Sequence, residues 1–170
     1  MIKKNILLSL LILLPIYLLI SLYFLDRCYF LCPIDYKGEI LIRNDSRGNG
    51  YFAANRQGNR AHEGIDLFAE IGTPVLAARS GRVIVSRVII NKDKKTGSGN
   101  YIILHHPGNL TTTYGHLLKI YVHKNGLIRQ GQIVGLVGKT GNANYNDIQP
   151  HLHFEVRKDG IPQDPLEYFQ

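Results

Sequence analysis

Short runs of β-branched and aromatic residues, separated by turns that contain glycine, recur along most of the chain. Several runs alternate apolar and polar positions, which is the period-two pattern of a strand with one buried face. Because at least six such runs follow one another, we predict an all-β domain of antiparallel, sandwich-like sheets. The predicted strands are Pro74–Ala78, Arg82–Ile90, Tyr101–His106, Thr111–Leu117, Gln132–Val137 and His151–Arg157.

The N-terminal segment follows a different pattern. From Asn5 to Leu25 it has no charged residue, and this length is enough to cross a hydrocarbon core of about 30 Å. We expect one uncleaved transmembrane helix and no signal-peptide cleavage, because the apolar run is long and ends at Asp26 and Arg27 instead of small residues. The short tail with Lys3 and Lys4 favours an N-inside orientation.

This pattern predicts the domain organisation. Residues 1–25 form a short tail and the transmembrane helix, residues 26–50 form a linker and a first strand, and residues 51–170 form the folded domain. The protein would span the cytoplasmic membrane once, with its domain in the periplasm or outside the cell. In that oxidising space Cys28 and Cys32, the only cysteines, could form a disulfide.

Composition narrows the class of protein. Apolar residues make up 45% and charged residues 19% of the chain, which excludes an intrinsically disordered protein. Lysine and arginine outnumber the acidic residues by 20 to 13, so the chain is basic without being a polycation. This balance favours an anionic polymer or surface as a neighbour, such as nucleic acid, lipid headgroups or cell-wall material, and does not choose among them.

Two short motifs carry the candidate chemistry. His62 and Asp66 flank Gly64 in the first, and His151 and His153 form the second. Alone, a His-x-His pair is most simply two polar side chains on a sheet surface, and both project from the same face of a strand. A tight bend at Gly64 would allow His62 and Asp66 to converge on the same point. Two histidines and one aspartate leave a fourth tetrahedral position for water, which is typical of a catalytic zinc.

Six ordered motifs carry a resemblance to a known family: Arg60–Asp66, Gly72–Val75, Gly81–Val83, Tyr114–Leu117, Gly131–Gln132 with Gly138–Asn142, and His151–Glu155. In these motifs the sequence resembles the lysostaphin-type, or LytM-like, zinc endopeptidases, which cut peptide cross-links of bacterial peptidoglycan. The resemblance runs from about Tyr51 to Tyr168. It implies that residues 51–170 form a LytM-type zinc metalloendopeptidase domain.

The resemblance also implies the roles of individual residues. His62, Asp66 and His153 would ligate Zn²⁺, and His116 and His151 would be an unligated catalytic pair. We interpret His151 as the general base, which takes a proton from water and returns it to the departing amine. His116 would stabilise the transition state or shuttle protons, and the two roles could be exchanged without a visible change in sequence.

The predicted function is therefore zinc-dependent hydrolysis of stem peptides or cross-links of peptidoglycan by metal-activated water. We expect no nucleic-acid partner. One alternative is a non-catalytic peptidoglycan-binding domain or an activator of another cell-wall hydrolase, although all five polar positions of an active site are retained. Another is a module that stores or senses zinc or copper, for which a closed coordination site would be expected.

Three neighbouring features have simpler interpretations. The charged, glycine-rich segment Lys92–Asn100 is predicted to be a hairpin loop away from the metal ligands. His105 and His106 are adjacent on a predicted strand, so they point to opposite faces and at least one is exposed. Tyr114 shares a strand face with His116, where its hydroxyl lies either near the substrate or in the core.

Overall fold

The computed structural model describes residues 11–18, 29–56, 59–89 and 97–169. Residues 11–18 are helical, and the rest of the predicted transmembrane segment lies outside the described residues. Within the described ranges, no helix combines the length and apolar character that crossing a bilayer requires. The membrane anchor and its orientation therefore stay predictions. Cys32 is a free thiol and Cys28 lies outside the described residues, so nothing supports the predicted disulfide.

Antiparallel strands make up almost all of the described domain, which confirms the all-β prediction. The fourteen strands are β1 (Asn44–Asp45), β2 (Gly48–Asn49), β3 (Asn55–Arg56), β4 (Arg60–Ala61), β5 (Ile65–Phe68), β6 (Pro74–Leu76), β7 (Gly81–Arg87), β8 (Tyr101–His106), β9 (Leu110–Gly115), β10 (Lys119–Ile120), β11 (Leu127–Ile128), β12 (Ile133–Leu136), β13 (His151–Lys158) and β14 (Ile161–Gln163), within the part of the chain that the structure describes. Two 3₁₀ helices follow β12 and β14, at Gly141–Ala143 and Pro165–Tyr168. Each of the six predicted strands is present, with ends that differ by a few residues.

The main sheet has the strand order β11-β7-β8-β9-β13-β14, and β5 pairs with β13 as a seventh strand among the described residues. A three-stranded sheet, β10-β12-β6, is separate from it, and β1-β2 and β3-β4 are two-stranded ribbons. β13 is the central element for function, because it pairs with β9, β5 and β14.

Alternation along β13 separates the core from the functional face. Leu152, Phe154 and Val156 are fully buried, and the residues between them are polar. Burial of each large apolar side chain contributes about 1.5–3 kcal/mol to folding. Phe154 packs against Tyr114 with a centroid distance of 5.2 Å, and the Tyr114 hydroxyl accepts a hydrogen bond from the Ala78 amide at 2.9 Å. Tyr114 is thus a core residue and not a substrate contact.

The segment before residue 51 packs against the sheet. Phe30 and Ile34 are buried in the same core as β13, and Ile42 forms an isolated bridge with Leu67 of β5. The Arg43 amide then donates to the Asp66 carbonyl at 2.8 Å. This segment, predicted as a linker and first strand, therefore holds Arg43 beside β5.

Candidate metal centre

The register of three strands positions the candidate ligands. His153 of β13 lies directly opposite Asp66 of β5 on one side and Gly115 of β9 on the other. Residues directly opposite one another in an antiparallel pair project from the same face of the sheet, so the side chains of His153 and Asp66 meet. His62 lies just before β5, and His116 follows the last residue of β9.

Gly64 allows the chain between His62 and Asp66 to lie against β13. A Cβ atom at this position would collide with the carbonyl oxygen of Phe154. Gly64 does not have a positive φ, so the reason for glycine here is close backbone approach. The prediction that His62 and Asp66 converge is confirmed, but lack of space for a side chain, and not an unusual bend, explains the glycine.

Three side-chain atoms converge at one point. Asp66 Oδ1 lies 3.1 Å from His62 Nε2 and 2.9 Å from His153 Nδ1, and the two nitrogens are 3.1 Å apart. A tetrahedral zinc with bonds of about 2.0–2.1 Å needs ligand atoms about 3.3 Å apart, so a small outward movement of each side chain suffices. Two imidazole nitrogens and one carboxylate oxygen are also a donor set that zinc prefers. The residues therefore fit a zinc ion.

Hydrogen bonds on the far side of each ring orient the two histidines. His62 Nδ1 lies 2.9 Å from the Tyr51 carbonyl oxygen, which can only accept, so Nδ1 carries the proton and Nε2 offers its lone pair to a metal. His153 Nε2 lies 2.9 Å from Glu155 Oε1. Such outer contacts fix the ring orientation and raise the basicity of a metal ligand.

An ion-pair chain extends from His153 to the surface. Arg157 Nε donates to Glu155 Oε2 at 2.8 Å, and Arg157 Nη2 pairs with Glu63. No functional role was predicted from the sequence for Glu155 or Arg157. His153, Glu155 and Arg157 follow one another at intervals of two residues along β13, so all three lie on the same face of the strand. This alternation was visible in the sequence.

The second oxygen of Asp66 is held by arginines. Asp66 Oδ2 accepts hydrogen bonds from Arg43 Nη2 at 3.1 Å and from Arg56 Nη2 at 2.7 Å. Arg43 also pairs with Asp45, and its side chain is buried. These contacts leave Oδ1 facing the two histidines. No local sequence pattern pointed to either arginine, because the chain brings them in from outside the recognised motifs.

Electrostatic interactions within the trio of His62, Asp66 and His153 favour a charged aspartate. Burial opposes the Asp66 charge, but the hydrogen bond that His153 donates outweighs burial and holds the pKa of Asp66 well below its usual range. Burial likewise opposes a charged His153, while hydrogen bonds to Asp66 and Glu155 raise the pKa of His153 to about 9. In the metal-free protein, a proton on His153 thus occupies the place that a cation would take.

His151 lies beside the trio as a neutral base. Its Nδ1 donates to the Gln149 carbonyl at 2.7 Å, which leaves the Nε2 lone pair free at 3.9 Å from Asp66 Oδ1. Burial lowers the pKa of His151 to about 4. A neutral ring with a free lone pair can accept a proton at neutral pH.

His116 reaches the same place from another loop. Its Nδ1 donates to the Thr140 carbonyl at 2.9 Å, and its ring centroid lies 4.9 Å from that of His151. Burial and then the neighbouring His151 and His153 hold the pKa of His116 well below its usual range. The residue adopts a positive φ of 60°, a strained conformation that is common at functional sites.

Residues 97–100 support His116, so their predicted position away from the site is wrong. The His116 amide donates to the Ser98 carbonyl at 2.8 Å, and the Asn100 side chain donates to the Leu117 carbonyl at 2.9 Å. Residues 91–96 of the same predicted loop lie outside the described residues.

The trio opens into a cleft of about 570 Å³. His116, His151, Arg56 and Arg60 are among the residues that line this cleft. Ligand sites of proteins have volumes of this order, and a polymer segment can enter a cleft that is open to solvent.

Comparison with known proteins agrees with this geometry. The profile described as Peptidase family M23 matches residues 60–165. The chain is 38% identical over 107 residues to the DD-carboxypeptidase/endopeptidase Mpg of Neisseria meningitidis serogroup B, which covers 63% of this chain and 22% of that protein. It is 39% identical over 106 residues to the peptidoglycan DD-endopeptidase ShyB of Vibrio cholerae, which covers 62% of this chain and 22% of the relative. The matched region thus spans about a fifth of the length of these curated relatives.

Solved structures have the same fold. A zinc-containing peptidase from Vibrio cholerae is 33% identical with a TM-score of 0.64, over 83% of this chain and 40% of that one. The catalytic domain of lysostaphin from Staphylococcus simulans is 32% identical with a TM-score of 0.58, over 73% of this chain and 91% of that domain. The resemblance in sequence therefore extends to the arrangement of the strands.

Proposed function

Because the chain belongs to peptidase family M23, we propose that it is a zinc-dependent endopeptidase that hydrolyses peptide bonds of bacterial peptidoglycan. The observation that carries the proposal is the convergence of His62 Nε2, Asp66 Oδ1 and His153 Nδ1 in an open cleft. Relatives named as peptidoglycan DD-endopeptidases support the choice of substrate. We extend their bond type to this chain, so that the scissile bond joins two D-configured centres.

His62, Asp66 and His153 would hold the zinc ion. When bound, zinc supplies a water that is nucleophilic at neutral pH and polarises the scissile carbonyl group. Arg43 and Arg56 bind Asp66 Oδ2, which leaves Oδ1 directed towards the two histidine ligands. Glu155 binds His153 Nε2, which leaves Nδ1 directed towards the metal position. These contacts preorganise the site before substrate enters.

His151 is the proposed general base. The Gln149 carbonyl fixes the ring so that Nε2 faces the trio, and the lowered pKa keeps this nitrogen unprotonated. Nε2 takes the proton of the attacking water and then passes it to the nitrogen of the departing amine. Both transfers use the same atom, so the ring returns to its neutral state when the peptide bond is broken.

His116 is the proposed transition-state residue. Its ring is neutral in the resting protein, with Nε2 unprotonated because Nδ1 donates to Thr140. Negative charge that develops on the carbonyl oxygen raises the pKa of a nearby imidazole and favours a ring that donates a hydrogen bond. A proton taken up from solvent at Nε2 as that charge appears would let His116 donate a hydrogen bond to the oxyanion or pass the proton on, and the ring becomes neutral again when the charge disappears.

We also propose that the domain acts on the wall side of the cytoplasmic membrane. The support is the uncharged segment from Asn5 to Leu25, which is long enough for a membrane anchor. The chain after residue 25 has 18 basic and 13 acidic residues, and this net charge of +5 would hold the domain near anionic wall material. A reporter fusion at each terminus tests the orientation.

The test of function uses purified full chain and isolated peptidoglycan sacculi. We expect about one zinc per chain and the release of new peptide termini, identified by mass spectrometry, with loss of both after chelation. His153→Ala should lose zinc and activity together. His151→Ala should keep zinc and lose at least about a hundredfold in turnover, because it removes only the base.

Two results would contradict the proposal. A zinc-loaded chain that binds sacculi and releases no termini would support the non-catalytic alternative. Loss of zinc from the His151→Ala variant would show that ligand and base have been exchanged.

A further inference from the structure

The β3-β4 ribbon forms one wall of the cleft and presents two arginines together. Arg56 and Arg60 are directly opposite each other in this antiparallel pair, so both side chains leave the same face of the ribbon. Both also line the cleft that contains the trio. His62 directly follows the last residue of β4, so the ribbon ends at the candidate metal centre.

Arg60 differs from the other arginines of the cleft in its electrostatic surroundings. Arg43 and Arg56 share the carboxylate of Asp66, and Arg47 pairs with Asp147 at 2.6 Å. Arg60 is exposed, and the described residues provide no acidic partner for it. It is therefore a cation in the cleft whose charge is not used within the described fold.

Two opposed cations would not be expected to stabilise the ribbon. Like charges directly opposite each other on an antiparallel pair are destabilising. Asp66 pairs with Arg56 and so offsets the charge of that arginine, whereas the charge of Arg60 is not offset. A divalent cation in the trio would share the same carboxylate and reduce this offset further. An anionic group of a bound ligand would restore the balance between the two guanidinium groups.

We propose that Arg60, together with Arg56, forms a subsite for a free carboxylate of the peptide substrate close to the scissile bond. This inference rests on the proposed endopeptidase function and adds a specificity determinant to it. A guanidinium group binds a carboxylate through two parallel hydrogen bonds, whereas a carboxamide offers one acceptor and no charge. The site therefore selects peptides with a free carboxylate over otherwise identical amidated peptides.

The experiment uses cross-linked wall peptides in which each free carboxylate is converted, one at a time, to a carboxamide. Cleavage by the full chain is followed by mass spectrometry for the wild type, Arg60→Gln, Arg60→Lys and Arg87→Gln. Arg87 is an exposed arginine at the end of β7 that does not line the cleft, so its variant is the matched control. Binding of the same peptides is measured by calorimetry in the His151→Ala background, where we expect cleavage to be at least about a hundredfold slower.

We expect one amidation to lower both binding and kcat/KM of the wild type by about tenfold, because it removes a charge-assisted contact. Arg60→Gln should bind and cleave the carboxylate peptide as weakly as the amidated one, with unchanged zinc content. Arg60→Lys should recover part of the preference, and Arg87→Gln should behave as wild type.

The outcomes separate the two proposals. Cleavage with no preference for any carboxylate, or an Arg60→Gln variant that loses equally on both peptides, overturns the subsite. A preference in binding that depends on Arg60, without cleavage by the wild type, supports the subsite and overturns the endopeptidase function. Loss of zinc in Arg60→Gln would assign the residue to the metal centre and also overturn the subsite.

Discussion

Glu155 Oε1 lies 2.9 Å from His153 Nε2, on the side of the imidazole opposite the nitrogen that faces Asp66. The contact joins two residues of one strand face that are two positions apart. It fixes which nitrogen of His153 is available to a metal ion, because a carboxylate can only accept a hydrogen bond. We therefore expect metal affinity to depend on Glu155, which is not itself one of the proposed ligands.

Removal of this contact should weaken zinc binding. We expect Glu155→Ala to lower zinc affinity by about 10- to 100-fold, measured by competition with a fluorescent chelator, since it leaves His153 free to rotate. Glu155→Gln keeps an acceptor for the ring and should give an intermediate loss. Glu63→Gln, at the far end of the Arg157 chain, serves as the control and should change affinity much less. Unchanged affinity in Glu155→Ala would contradict this role.

Zinc binding should release a proton from His153. The pKa of this ring is about 9 in the metal-free protein, so at pH 7 the ring is charged, and it must become neutral to ligate a metal. We expect release of about one proton per zinc at pH 7, measured by calorimetry in buffers of different ionisation enthalpy. Affinity should rise by about tenfold per pH unit up to pH 9 and then level off. Proton release that is already absent at pH 7 would be inconsistent with the raised pKa.

Arg43 should matter for stability far more than its exposed neighbour Arg47. The Arg43 side chain is 4% exposed and holds both Asp66 and Asp45, so Arg43→Ala leaves buried charges without their partner. We expect a loss of about 3 kcal/mol in the free energy of unfolding of the metal-free protein, measured by chemical denaturation.

The matched variant Arg47→Ala tests whether burial is the cause. Arg47 and Asp147 are 39% and 48% exposed and solvent screens their attraction, so breaking that pair should change the free energy of unfolding much less than Arg43→Ala does. Similar losses for the two variants would show that the Arg43 contacts do not depend on their buried position.

Gly64 should not tolerate a methyl group. In Gly64→Ala the new Cβ would collide with the Phe154 carbonyl oxygen, which forces β5 and β13 apart. We expect a loss of about 1–3 kcal/mol in stability and weaker zinc binding, because His62 and Asp66 lie on either side of the displaced backbone. In Gly38→Ala the Cβ would meet no atom within 4 Å, so this variant should be neutral or slightly stabilising. Thermal unfolding of the Gly64→Ala and Gly38→Ala variants, with and without zinc, measures both effects.

The predicted and observed sites agree where local pattern carries the information. Alternation from His151 to Arg157 predicted one polar and one buried face, and the structure has Leu152, Phe154 and Val156 fully buried. The same alternation places Glu155 on the polar face, beside His153. In contrast, no periodic pattern pointed to Arg43, because its contact with Asp66 joins residues 23 positions apart through a segment predicted as a linker.

Residues 97–100 show a second limit of local interpretation. A charged, glycine-rich sequence is typical of an exposed loop, yet the Ser98 carbonyl accepts the amide hydrogen bond of His116. Backbone carbonyls support each of the histidines His62, His116 and His151, and a carbonyl group is the same in every residue type. The type of a residue therefore does not indicate whether its carbonyl group binds one of these histidines.

The amino-acid sequence by itself determined the all-β class, the polar face of β13 and the residue types of a zinc site, because these follow from side-chain chemistry and strand periodicity. Tertiary structure decided which atoms meet. The register of β13 between β5 and β9 sets Asp66 opposite His153, and distant carbonyls and arginines orient each ring and carboxylate. Those contacts depend on strand pairing across many residues, and strand pairing is a property of the folded chain as a whole.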